Sequence, residues 1–119
     1  EVPIVSSGQR ISRVQQAKLK LLKTRNNLSD TRKSLVNSFI QTRNDYITAY
    51  EKYTTSSDNM KLARRVYQRI SQKYSEGMAS SMELTQANRD YLNAESEYIR
   101  AMVEMLNART QLDKILNEL

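Results

Sequence analysis

The sequence predicts an all-α fold, a long antiparallel coiled-coil helical hairpin. Apolar residues recur at heptad spacing along two long segments, and the only glycine between those segments is Gly77. Turn-forming residues are otherwise scarce, since the 119 residues include two glycines and one proline, Pro3. A glycine at such a joint permits the left-handed backbone that ends a helix. We therefore expect helices at about 9–74 and 80–118, joined by a tip at 75–79.

The first helix is predicted by two series of residues that alternate three and four positions apart. One series is Val14, Leu21, Leu28, Leu35, Thr42, Ala49, Ser56, Ala63 and Ile70, and the other is Ile11, Lys18, Arg25, Arg32, Phe39, Tyr46, Tyr53, Met60, Tyr67 and Tyr74. This spacing is typical of an a/d seam sustained over about nine heptads. The basic residues Lys18, Arg25 and Arg32 either extend their charges to water past buried stems or face acidic side chains of a neighbour.

The second helix has a cleaner seam, in which large residues alternate with alanine. Its two series are Leu84, Tyr91, Tyr98, Met105, Leu112 and Leu119, and Ala87, Ala94, Ala101, Ala108 and Ile115. A further apolar row, Leu92, Ile99 and Leu106, lies off this seam, so we expect neighbours on both flanks of the helix. If the chain folds back at Gly77, about the first 25 residues of the first helix have no partner in this chain. Another segment or subunit is expected to cover them, and the isolated chain is expected to self-associate.

The net charge of +6 is concentrated in the N-terminal part, where residues 1–43 contain nine Lys or Arg and two acids. This is compatible with binding to nucleic acid or anionic lipid, or with a solvated helix face. No aromatic residue interrupts the basic run before Phe39, which weighs against nucleic acid. The chain has no His, no Cys and no Gly-rich phosphate loop, so we expect neither an enzyme nor a metal or cofactor site. The sequence contains no run of about 18 apolar residues, so it predicts no membrane helix.

The first eight residues read as the end of a strand and a corner. Val2-Pro3-Ile4-Val5 is a short apolar β-type run, and Ser6-Ser7-Gly8 breaks it. Ser7 or Gly8 is then expected to cap a helix that starts near Gln9. The predicted division of the chain is a strand remnant and corner at 1–8, the long helix at 9–74, the tip at 75–79 and the shorter helix at 80–119.

These residues and their order resemble the TolC-like outer-membrane efflux protein family. Members enter the long helix from a strand that ends in Pro-Ile and an apolar residue, through a glycine-containing corner, here Val2-Pro3-Ile4-Val5-Ser6-Ser7-Gly8-Gln9-Arg10. Their tip reads Tyr, two residues, Gly, a few small residues, then an acid and an apolar residue, here Tyr74, Gly77, Ala79-Ser80-Ser81 and Glu83-Leu84. An Ala-Asn/Gln-Arg stretch and spaced alanines follow, here Gln86-Ala87-Asn88-Arg89, Ala94 and Ala101. The Ser6-Ser7 pair departs from the family's usual apolar-plus-Gly corner.

The resemblance implies that the chain is the periplasmic α-helical hairpin of a larger, trimeric outer-membrane channel of a Gram-negative bacterium. In that family the helical tube closes at the hairpin tips. The tips meet a periplasmic adaptor protein, which links the channel to an inner-membrane pump. The family contacts the membrane through β-barrel segments that this sequence lacks.

The resemblance also assigns residues at the tip. Tyr74 matches a tyrosine that helps to hold the tube shut, and Glu83 falls where an acid faces the pore entrance. Gln86 falls where some members have a second acid, which is missing here. The residues that match the adaptor-docking turn are Ser75, Glu76, Gly77, Met78, Ala79, Ser80 and Ser81.

Each assignment has a simpler alternative. Tyr74 continues the seam of the first helix, which is typical of packing as much as of gating. Glu83 lies near a helix start, where a carboxylate favours the helix dipole whatever else it does. The chain as a whole is also compatible with a free-standing coiled-coil interaction or scaffold module, such as an adaptor hairpin.

Overall fold

The structure, a computed structural model, describes the backbone of residues 3–119 and the side chains from Ser7 onward. Two helices occupy this part of the chain: α1 spans Pro3–Ser75 and α2 spans Ser81–Glu118. The predicted all-α hairpin of two helices is confirmed. The chain divides into unit 1, Glu1–Ser38, and unit 2, Phe39–Leu119.

The predicted strand remnant at the N-terminus is wrong for the residues that the structure describes; Val2 lies outside them. Pro3–Val5 and the predicted corner at 6–8 belong to α1, so the helix begins at Pro3 rather than near Gln9. Proline suits a first helical position, because its fixed φ matches the helix and its missing N–H would be unpaired there anyway. A strand would need a neighbouring strand for its hydrogen bonds, and residues 3–119 form none.

The described part of unit 1 is one stretch of α1, and every side chain from Ser7 to Ser34 is exposed. The large apolar side chains left exposed in this stretch are Ile11, Val14, Leu19, Leu21, Leu22 and Leu28. Among the described residues of this unit, no second element covers the predicted seam.

Unit 2 contains the hairpin, and its helices pack along the predicted seam. On α1 the half-buried or buried members of the seam are Phe39, Thr42, Tyr46, Ala49, Tyr53, Ser56, Met60, Ala63, Tyr67 and Ile70. On α2 they are Leu84, Ala87, Tyr91, Ala94, Tyr98, Ala101, Met105, Ala108, Leu112 and Ile115. Each belongs to one of the predicted heptad series, so the heptad pattern identified the contact faces of both helices.

The core of unit 2 is narrow, because two helices alone enclose little volume. Among the described residues the buried apolar side chains are Met60, Ala87 and Ala101. The alanines allow the two backbones to approach closely while larger neighbours fill the flanks. The second apolar row of α2, Leu92, Ile99 and Leu106, stays exposed in this unit.

Tyrosine pairs across the seam mark the antiparallel register. The Tyr53 and Tyr98 rings stack with centroids 5.6 Å apart, and their hydroxyl oxygens lie 3.5 Å apart. Closer to the turn, the Tyr67 and Tyr91 rings stack at 5.9 Å. Aromatic pairs of this kind contribute about 0.5–1.5 kcal/mol beyond the area that they bury. They therefore favour this register of the hairpin.

Candidate functional site at the hairpin tip

The end of α1 is closed by a Schellman motif. The Met78 N–H donates to the Lys73 carbonyl at 2.7 Å, and the Gly77 N–H donates to the Tyr74 carbonyl at 3.1 Å. Gly77 has φ +76°, as this motif requires of its turning residue. The carbonyls at the end of the helix thus find partners within the turn, and the predicted role of Gly77 as the helix-ending residue is confirmed.

The start of α2 is closed by a capping box. Ser80 is the N-cap, and its hydroxyl accepts from the Glu83 N–H at 3.1 Å. The Glu83 carboxylate accepts from the Ser80 N–H at 2.7 Å. Ala79 and Leu84, which flank the box at the positions of a hydrophobic staple, are both half-buried. Caps on both sides give this short connection a defined backbone.

The three predicted gate residues lie close together in sequence but in different environments. Tyr74, the last seam position of α1, is 46% exposed, so it is packed less completely than the seam tyrosines before it. Glu83 points back to the N-cap rather than standing free. Gln86 is one turn further along α2, and its side-chain amide donates to the Asp90 carboxylate at 2.9 Å. None of these contacts joins Tyr74 to Glu83 or Gln86.

Most of the predicted docking residues are exposed. Ser75 donates its hydroxyl to the Gln72 carbonyl at 2.7 Å, which turns it toward its own helix. Glu76 accepts from the Gln72 amide at a marginal 3.5 Å. Met78 is 71% exposed, and among the seven residues of the turn only Ala79 is half-buried. The turn therefore exposes small polar groups, the Glu76 carboxylate and one large apolar side chain.

Several features of the site were missed in the sequence. The capping box has a readable signal, Ser-x-x-Glu at Ser80 to Glu83, directly before an apolar residue. Met82 is 81% exposed on the first turn of α2, beside the predicted turn. The Arg64 Nε also donates to the Tyr91 hydroxyl at 3.3 Å, with its guanidinium over the Tyr91 ring. That last contact depends on the cross-seam register, which heptads alone do not specify.

The charges in unit 2 are largely solvated. Two ion pairs are formed there, Lys52 with Glu104 at 3.5 Å across the seam and Arg100 with Glu97 at 3.1 Å along α2. All four side chains are about half or more exposed, so each pair contributes little to stability. Near the middle of the seam, the hydrogen bond between the Tyr53 and Tyr98 hydroxyls raises the pKa of Tyr53 above its ordinary value, and the charge of a Tyr98 phenolate acts in the same direction.

The described residues contain no cluster of three or more His, Cys, Asp or Glu that would suit a metal ion. Neither described helix combines the length and the hydropathy needed to span a bilayer. The tip is a surface of mostly exposed side chains on a turn that is capped on both sides.

The fold and the tip define a class of protein, an antiparallel helical hairpin with a capped turn and apolar faces left for neighbours. The sequence pattern of the outer membrane efflux protein family matches residues 1–118. The chain therefore belongs to the outer membrane efflux protein family, as the resemblance in the sequence indicates. Neither the curated proteins nor the solved structures provided a match to this chain.

Proposed function

We propose that the chain forms part of the wall of the periplasmic tunnel of a trimeric outer-membrane efflux channel. The observation that carries this proposal is the family match over residues 1–118. The fold supports it, because α2 has one apolar face packed in the seam and a second, at Leu92, Ile99 and Leu106, left exposed. A helix that is apolar on two sides suits an element with neighbours on both flanks.

In this proposal the tip lies at the periplasmic entrance of the tunnel and contributes to the gate. Tyr74 lies at the end of the seam with about half of its surface free to contact a neighbouring hairpin. Glu83 and Gln86 follow on α2, and three copies of Glu83 around an axis would form a ring of carboxylates that attracts cations. The Ser80 N–H holds the Glu83 carboxylate in one orientation, which supports a fixed ring.

The turn from Ser75 to Ser81 would dock a periplasmic adaptor, which in turn links the channel to an inner-membrane pump. Caps on both sides keep the turn in one shape, so few of its backbone groups need to become ordered when a partner binds. This favours a docking role, since a pre-organised surface loses less entropy on binding than a mobile loop. The family match also favours a tunnel wall over a free-standing coiled-coil module.

Docking at the tip is tested by site-specific photo-cross-linking in the full-length channel. A photoreactive residue at Ser81, exposed at the tip, is expected to cross-link to the periplasmic adaptor in cells. The matched control is Thr24, which is also exposed but lies in unit 1. Equal adaptor cross-linking from both positions, or none from Ser81, would contradict docking through the tip.

A further inference from the structure

The five methionines of the chain fall into two groups of opposite exposure. Met60 is buried in the seam with 8% of its surface exposed, and Met102 and Met105 are half-buried. Met78 and Met82 are 71% and 81% exposed, more than any other large apolar side chain described. The contrast within one chain sets the two tip methionines apart.

The local structure explains why neither tip methionine packs. Met78 follows the turning glycine of the Schellman motif, where an apolar residue commonly packs on the residue five positions earlier. Here that residue is Lys73, which offers no apolar side chain as a partner. Met82 lies one turn before Thr85 and Gln86 on α2, which are polar and exposed. The hairpin therefore holds both thioethers in water without using them for stability.

We propose that Met78 and Met82 form an oxidation-sensitive modification site at the tip, with peroxides as the oxidant. Hydrogen peroxide transfers one oxygen atom to the thioether sulfur, which becomes a sulfoxide, while the O–O bond breaks and water leaves. The sulfur loses two electrons and the peroxide gains them. The product is polar and chiral, and methionine sulfoxide reductases reverse the change. Susceptibility follows exposure, so the seam methionines should react later.

The consequence of the modification is a change of surface chemistry without a change of fold. Because neither side chain packs against the hairpin, the sulfoxides displace no neighbour and leave the capped turn intact. The apolar anchors of the tip become polar, which opposes insertion into an apolar pocket of a partner. This second step rests on the proposed docking function, and it predicts that peroxide weakens adaptor binding.

The modification site itself is tested on the 119-residue chain, with peptide mass spectrometry after graded doses of hydrogen peroxide. Met78 and Met82 should be oxidised at least about tenfold faster than Met60. Circular dichroism of chain oxidised at those two positions alone should show the helical content and melting temperature of untreated chain. Oxidation of Met60 at a comparable rate, or a lower melting temperature after oxidation at the tip alone, would overturn the proposal.

The consequence for docking is tested in the full-length channel with a purified periplasmic adaptor. Peroxide treatment of the channel should weaken binding at least about tenfold. A Met78→Leu/Met82→Leu channel should bind equally well before and after treatment, because leucine keeps the apolar surface and cannot form a sulfoxide. Equal loss of binding in both channels would overturn the regulatory step. An untreated channel that does not bind the adaptor would instead refute the proposed docking, while the oxidation rates still decide the modification site.

Discussion

Ser80 and Glu83 cap the start of α2 reciprocally: the Ser80 hydroxyl accepts from the Glu83 N–H, and the Glu83 carboxylate accepts from the Ser80 N–H. The acid proposed to face the pore entrance is therefore also a structural part of the turn. From the sequence alone, replacing Glu83 would be expected to change stability by about 0.5 kcal/mol or less. Because Glu83 also belongs to the capping box, we expect its loss to lower the stability by more than that. A substitution that keeps the capping hydrogen bond and removes the charge separates the two roles of the side chain.

Glu83→Ala should destabilise the chain by about 0.3–1.5 kcal/mol, because it removes one hydrogen bond of the box and a favourable charge at a helix start. Glu83→Gln should cost less, since glutamine also completes a capping box. Ser80→Ala should cost about 1 kcal/mol by removing the N-cap acceptor. Urea unfolding followed by circular dichroism measures all three. Equal stability of the Ala and Gln variants would show that the carboxylate contact is unimportant in solution.

The two glycines provide a matched pair for the turn. An added Cβ would meet nothing within 4 Å at either Gly8 or Gly77, so only the backbone conformation distinguishes them. Gly77→Ala forces a residue with a Cβ into φ +76° and should destabilise by about 1–2 kcal/mol. Gly8→Ala, inside α1, should instead stabilise by about 0.5–1 kcal/mol. Thermal unfolding of both variants is the measurement, and shifts in the same direction would contradict the assigned turn.

Close helix approach in the seam predicts a penalty for added volume at its alanines. Ala101 is 4% exposed, so Ala101→Leu should destabilise by about 1–3 kcal/mol through overpacking. Ala17→Leu is the control, because Ala17 is exposed on α1 and leucine is nearly as good a helix former. Urea unfolding should show little change for the control. A seam variant as stable as the control would mean that the helices do not approach closely at Ala101.

The Tyr53–Tyr98 contact predicts a specific alkaline sensitivity. The raised pKa of Tyr53 means that, above about pH 10, the unfolded chain loses this proton before the folded chain does. The stability that this contact contributes is therefore fully present below about pH 10, and it is lost as the pH rises through the pKa of Tyr53 in the folded chain. In urea unfolding between pH 9 and 11, at about one-unit steps, Tyr53→Phe and Tyr98→Phe should both show a shallower fall than the parent. If the stability of Tyr53→Phe falls with pH as steeply as that of the parent, the Tyr53–Tyr98 contact is not the source of the alkaline sensitivity.

The parts of the fold that a repeating pattern specifies could be predicted from the sequence. The seam residues from Phe39 to Ile70 and from Leu84 to Ile115 pack as their heptad positions predict, because burial along a coiled coil follows the period of the helix. Gly77 could be assigned because a left-handed backbone favours glycine. These features depend on local spacing, which the sequence displays directly.

The parts that depend on context could not be predicted in the same way. Val2-Pro3-Ile4-Val5 has strand-like composition, yet Pro3 begins α1, since a short apolar run also suits a helix start when no strand lies beside it. The stacking of Tyr53 on Tyr98 requires the register of the two helices, which equal heptads leave undetermined. At the tip, Met78 is exposed because the position on which it would pack in a Schellman motif holds Lys73 rather than an apolar residue. That pairing of positions can be identified only once the Schellman motif is known.

The central claim, that the tip lines the entrance of an efflux channel, is tested most directly by the ion selectivity of the full-length channel in planar bilayers. Glu83→Gln keeps the capping box and removes the charge, so it should lower the preference for cations, measured as the reversal potential in a salt gradient. Gln86→Glu adds the acid that some family members have and should raise that preference. Opposite shifts in the two variants are the predicted result, and reversal potentials unchanged from the parent in both would contradict the placement of the tip at the pore.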